Sequence, residues 1–131
     1  MRNRLRKAAI ILCLVLAGSS VASAHHSFCS GLDSSKPFLL TGKVARIELR
    51  NPHSYLFLDV KNANGTVEQW VLHVVAVSSM RSGLWNKDTL KAGDEVTVRG
   101  FPAKGSDEKR GGLSEVVFKG KTLFEGIARN C

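Results

Sequence analysis

The sequence lacks a second long apolar run, and it lacks the motifs by which most enzymes are recognised. After residue 24 no apolar stretch is long enough to span a bilayer. No glycine-rich phosphate loop, nucleophile elbow or convincing pair of catalytic carboxylates is present either. We therefore expect no stable membrane insertion of the chain beyond that point, and a binding or structural protein that is not an enzyme.

The long apolar run that is present lies at the beginning of the chain. Four basic residues among positions 2–7 precede an apolar stretch at 8–18, and Ala22–Ala24 spells an A-x-A cleavage site. This is the pattern of a secretory signal peptide. We expect residues 1–24 to be removed, so that a periplasmic or secreted protein begins at His25 as a single domain over residues 25–131.

The net charge is small once the predicted signal peptide, called the leader below, is excluded. The leader carries four of the 19 basic residues and none of the 11 acidic ones, so residues 25–131 have a net charge of 15 − 11 = +4, against +8 for the whole sequence. This balance, the lack of a basic stripe and the predicted export all disfavour a nucleic-acid partner. The sequence does not indicate which protein, if any, is a partner.

Cysteine is scarce, with three residues in 131. Cys13 lies inside the leader, which leaves Cys29 and Cys131. In an oxidising compartment an even pair of cysteines favours a disulfide, and we predict this bond. A nucleophilic Cys29 beside the histidines at 25 and 26 is the weaker interpretation.

Alternation of apolar and polar residues predicts an all-β fold. The turn residues Asn62–Gly65 indicate a hairpin between the second and third strands, and residues 78–84 could form a short helix between the third and fourth. The predicted strands cover residues 38–50, 53–61, 66–75, 95–101 and 113–119, and residues 122–124 extend or pair with the last.

This order of elements is that of a five-stranded OB-like barrel with one short helix between strands 3 and 4. A small open sandwich of the same strands is the alternative. The barrel is favoured because the first strand is long and contains Gly42, where it can bend or bulge. The predicted core residues alternate along the strands: Ile47, Leu49, Leu56, Leu58, Val60, Val96 and Val98.

Several motifs resemble those of a family of small exported bacterial proteins known as domain of unknown function 6152. The resemblance implies an exported, OB-like protein without an established activity. The chain departs from the family pattern at Cys29 and Cys131, and at His73, where the family tends to have an acidic residue. The motifs that carry the resemblance are Ala24–Phe28 (AHHSF), Leu40–Gly42, Asn51–His53, Trp70, Trp85 and Asp88–Val96.

The four histidines are His25, His26, His53 and His73, and they suggest a metal site. Cleavage after Ala24 would give His25 a free amine beside its imidazole, and together these groups can chelate Cu(II), Ni(II) or Zn(II). We predict His53 as a third ligand and His26 or His73 as substitutes, with copper or zinc as the candidate ion. The alternative interpretation is structural, since the spacing matches no compact metal motif. In that interpretation the two terminal histidines are simply mobile, His53 only hydrogen-bonds the turn at Pro52, and His73 is partly buried with one nitrogen satisfied.

A candidate ligand face lies on the second strand. Tyr55 and Phe57 share a face with His53, and Asn51 lies in the adjoining turn. The corresponding strand faces of OB-folds bind oligonucleotides or sugars with aromatic side chains. The alternative is that both aromatics only fill or cover the barrel. These observations predict a binding module for a metal ion or small ligand; the alternative is a structural or protein-interaction component of the cell envelope with no small ligand.

Overall fold

The computed structural model describes residues 29–74, 85–86, 88–105, 107–126, 128 and 131. The chain forms two compact units, Met1–Ser30 and Gly31–Cys131, and all the described strands belong to the second. The predicted leader and the helix predicted at 78–84 lie outside the described residues. Among the described residues there is no helix with the length and apolar character needed to cross a membrane.

Six strands follow the predicted order. The predicted hairpin is confirmed: the Gly65 N–H donates to Asn62 O at 3.0 Å, and Gly65 has a φ of 89°, which glycine adopts without strain. The strands are β1 (Phe38–Glu48), β2 (Ser54–Lys61), β3 (Val67–Val74), β4 (Glu95–Pro102), β5 (Arg110–Phe118) and β6 (Lys121–Glu125).

The sheet closes on itself. Neighbouring strands follow the order β3-β2-β1-β4-β5-β6. A parallel pairing between β3 and β5 closes the first five strands of this order into a barrel, and β6 pairs with β5 beside it. In this pairing Val71 lies opposite Arg110 and His73 opposite Gly112. The barrel order 1-2-3-5-4-1 is that of the predicted OB-like fold, and closure removes the edges that a small open sheet would expose.

The interior of the barrel is apolar and includes the predicted core. Leu56, Leu58, Val96 and Val98 are at most 1% exposed. Ile47, Leu49 and Val60 are partly buried and pack against the same cluster. Other members of the cluster were not in that prediction, including Val44, Leu72, Val74, Trp85, Leu90, Leu113, Val116 and Leu123. Burying these side chains is the main favourable term in folding.

Two details differ from the sequence-based expectation. The irregularity of β1 falls between Val44 and Arg46 and not at Gly42. Gly42 is instead needed for close approach, because a Cβ there would lie 3.0 Å from Leu58 Cγ. Strand β5 begins at Arg110, three residues before the predicted start at 113. Gly111 lets the ring of Phe38 pack against the strand, since a Cβ there would lie 2.9 Å from Phe38 Cε1.

Disulfide bonding of the two predicted cysteines is present. Cys29 and Cys131 are each disulfide-bonded. Neither sulfur is therefore available as a nucleophile, which removes the Cys–His interpretation of Cys29 while the bond is intact.

Candidate functional site

A tight turn leads from β1 into β2 and carries His53. Asn51–Pro52 has a cis peptide bond, and Asn51, Pro52 and His53 are all exposed. The turn is closed by Ser54, whose Oγ accepts a hydrogen bond from the Arg50 N–H at 3.0 Å and donates to the Arg50 carbonyl at 2.9 Å. The side chain of Ser54 is fully buried. Because successive side chains of a strand point to opposite faces, His53 lies on the outside of the barrel.

His53 meets His73 across the hairpin. The Nδ1 atom of His53 lies 2.9 Å from the Nε2 atom of His73, and the ring centroids are 5.0 Å apart. The register of β2 and β3 places Tyr55 opposite His73, so His53 is the diagonal neighbour on the same face. One nitrogen donates and the other accepts, and the tautomers decide which.

The environment of His73 favours the neutral imidazole. Burial lowers the pKa of His73 below its ordinary value of 6.5, and the nearby His53 lowers it further. The edge of the ring contacts Tyr55, with centroids 5.4 Å apart. The Nδ1 atom of His73 is buried, so Nε2 is the nitrogen that faces His53 and the surface.

Charged residues of β1 and of the turn after it lie beside the outer residues of β2, with Glu48 opposite Tyr55 and Arg46 opposite Phe57. The Arg46 guanidinium lies 3.4 Å from the ring centroid of Phe57, which is 9% exposed. Glu48 accepts a hydrogen bond from Arg46 Nε at 3.1 Å and forms an ion pair with Arg50. The hydrogen bond from Arg46 lowers the pKa of Glu48, and the charge of Arg50 acts in the same direction. These ion pairs are solvent-exposed and contribute little to stability.

The structure brings only some of the predicted site residues together. His53 and His73 are brought together, whereas His25 and His26 lie outside the described residues. Tyr55 packs against His73 on the predicted face, while Phe57 is covered by Arg46. Within the described ranges, no group of three or more histidine, cysteine or acidic side chains could hold a metal ion.

Two features of the site were not predicted from the sequence. The first is the Ser54 clamp, by which we mean the two hydrogen bonds between the Ser54 hydroxyl and the backbone of Arg50. It depends on how the turn closes, and no residue pattern indicated it. The meeting of His53 with His73 does follow from the hairpin: Lys61 pairs with Val67, and counting back from the turn gives Tyr55 opposite His73. The turn residues were therefore the signal that could have identified the pair.

The protein is a small OB-like barrel with a pair of histidines on the outer face of its β2–β3 hairpin. The chain belongs to the family described as "Family of unknown function (DUF6152)", whose model matches residues 12–114. The matched range includes the turn, Ser54 and both histidines of the pair. No curated protein matches the chain.

Proposed function

We propose that this protein is a small binding module that holds one divalent transition-metal ion between His53 and His73. The observation that carries the proposal is the 2.9 Å separation of His53 Nδ1 and His73 Nε2 on the outer face of the barrel. Two imidazole nitrogens at this distance can share a proton, or, after the rings turn so that both lone pairs converge on one point, both can bind one ion. Neutral imidazole is the commonest metal ligand among side chains.

The separation of the two nitrogens is compatible with a copper site. With metal–nitrogen bonds of about 2.0–2.1 Å, nitrogens 2.9 Å apart subtend an angle of about 90° at the ion. A tetrahedral zinc site would need them roughly 3.3 Å apart. Right-angled nitrogen ligands suit the square-planar or tetragonal geometry of Cu(II) and Ni(II), and Cu(II) is also the divalent ion bound most tightly in the first transition row.

Metal binding at this pair requires no net release of protons when both imidazoles are neutral. When both imidazoles are neutral, the hydrogen-bonded form has one proton between the two facing nitrogens. To bind metal, the donor ring moves that proton to its other nitrogen through solvent, and no net proton is released. His53 is exposed and can make this exchange readily. Burial of His73 keeps the second ring neutral near pH 7.

Two protein ligands leave the remaining coordination positions to water or to further groups. The sequence predicts the amine and imidazole of a processed His25 as such groups, and this stays a prediction. Export to the periplasm or beyond is likewise our proposal, supported by the leader pattern of residues 1–24.

Titration of the purified protein with Cu(II) and Zn(II) tests the proposal. We expect one Cu(II) per chain, bound more tightly than Zn(II). His53→Ala and His73→Gln should each weaken Cu(II) binding at least roughly tenfold, because even loss of an outer-shell partner costs about 10–100-fold. Gln69→Ala, an exposed change on the same strand as His73, is the matched control and should bind as wild type does.

Two results would contradict the proposal. One is binding that survives both histidine substitutions but is lost when His25 and His26 are replaced, which would place the metal at the terminus alone. The other is binding no tighter than that of free histidine. In that case the histidine pair only ties the turn to β3, and the structural or interaction role is the better explanation.

A further inference from the structure

The structure assigns to Ser54 the role of positioning residue for the metal ligand His53, an inference that rests on the proposed metal site. Ser54 is the neighbour of His53 and its side chain faces the opposite side of the strand. Its hydroxyl makes two hydrogen bonds to one residue, with the Arg50 N–H as donor and the Arg50 carbonyl as acceptor. The backbone on both sides of His53 is thereby tied together.

The burial of Ser54 makes this arrangement unusual for the barrel. Among the described residues, Ser54 is the one polar residue that is fully buried. The other large side chains that are fully buried there are leucines and valines. A buried hydroxyl is costly unless its hydrogen bonds are satisfied. Here the donor and an acceptor site of Oγ are both used, and both backbone groups of Arg50 gain a partner.

Fixing the turn matters because His53 is otherwise exposed. The ring is exposed and contacts His73, so its direction depends on the backbone that carries it as well as on that contact. A turn that opened between Arg50 and Ser54 would let His53 Nδ1 move away from His73 Nε2. Binding would then have to order the turn again, which reduces affinity. Groups that orient a ligand typically change metal affinity by about 10–100-fold.

Four variants separate positioning from general stability. Ser54→Ala removes the hydroxyl without adding bulk, and Ser54→Thr retains the hydroxyl. Ser54→Val matches threonine in bulk and lacks the hydroxyl, so it decides the question if the alanine variant fails to fold. Val116→Ala makes a cavity at a fully buried position on β5, a strand that is not paired with β2, and controls for lost stability.

The measurement is Cu(II) affinity beside the free energy of unfolding for each variant. We expect Ser54→Ala and Ser54→Val to bind Cu(II) roughly ten- to hundredfold more weakly than wild type. Ser54→Thr should bind close to wild type, and Val116→Ala should bind as wild type although it is less stable. This pattern shows that the hydroxyl, and not stability as such, sets the affinity.

The outcomes distinguish the inference from the proposed function. If Ser54→Ala or Ser54→Val binds Cu(II) as wild type does while His53→Ala does not, the metal site stands and the positioning role is wrong. If Val116→Ala weakens binding as much as the serine variants, the role is also wrong, because stability alone explains the loss. If His53→Ala binds as tightly as wild type, the metal site itself is wrong and the serine role with it.

Discussion

At the scale of single residues, His73 combines two properties that rarely occur together on a surface strand. It is half-buried, so its charged form is disfavoured, and its Nε2 atom still faces a second imidazole. A metal ligand must be unprotonated, and burial supplies that condition near neutral pH. The same burial has a consequence for the metal-free protein that can be measured separately.

The stability of the metal-free protein should decrease as the pH falls below about 6.5. The pKa of His73 is lower in the folded protein than in the unfolded chain, chiefly because of burial, with His53 adding to the effect. The unfolded state therefore takes up the proton first. The contribution of His73 is fully present above about pH 6.5 and is lost as the pH falls toward its folded-state pKa.

Urea unfolding of wild type and His73→Gln between about pH 5 and 8 tests this sign. We expect the free energy of unfolding to rise with pH in wild type and to rise less steeply in the variant, where no imidazole titrates at this position. Equal slopes in the two proteins would show that His73 does not contribute to the pH dependence.

At the scale of secondary structure, β2 joins the core to the site. Its even-numbered residues, such as Leu56 and Leu58, point into the barrel, whereas Tyr55, and His53 just before the strand, lie outside. A slip of one residue in the β2–β3 register would reverse both sets. The apolar interior thus also fixes which histidines can meet.

Replacing Leu58 with alanine should lower the free energy of unfolding by about 2–5 kcal/mol, because its side chain is fully buried and a cavity would remain. Leu39→Ala is the matched control: it makes the same chemical change at a side chain that is 57% exposed. Denaturant melts of both variants are the measurement. A Leu58→Ala loss no larger than that of Leu39→Ala would mean that the inward face of β2 is assigned wrongly.

Much of the architecture was predictable because β-strands alternate with period two and Asn–Gly turns fix hairpins. The alternation gave the inward faces around Leu56 and Val96, and Asn62–Gly65 fixed the β2–β3 connection. The beginning of β5 was missed because Gly111 and Gly112 look like loop residues in sequence; their place in the sheet depends on the packing of Phe38, which is distant in the chain. The Ser54 clamp was missed for a similar reason, since it depends on the geometry of one turn.

At the scale of the whole molecule, disulfide bonding bears on the compartment in which the protein is found. Cys29 and Cys131 are each disulfide-bonded, and such bonds persist in exported proteins. This supports our proposal that residues 1–24 direct export, because the same compartment would both remove a leader and maintain the bond.

Processing between Ala24 and His25 has a direct test. The intact mass of protein recovered from the exporting cell should equal that of residues 25–131 with its disulfide formed. A terminus several residues further along the chain would remove His25 and His26 and end the predicted role of the terminus in metal binding. The His53–His73 site would not be affected by that result.

The most direct test of the metal site is a histidine-ring NMR spectrum of the purified protein during addition of Cu(II). Bound Cu(II) is paramagnetic and broadens the signals of the rings that ligate it. Below one equivalent, we predict selective loss of the ring signals of His53 and His73, both in wild type and in Gln69→Ala, which should bind as wild type does. If both ring signals persist beyond one equivalent while other histidine signals disappear, the pair does not bind the ion.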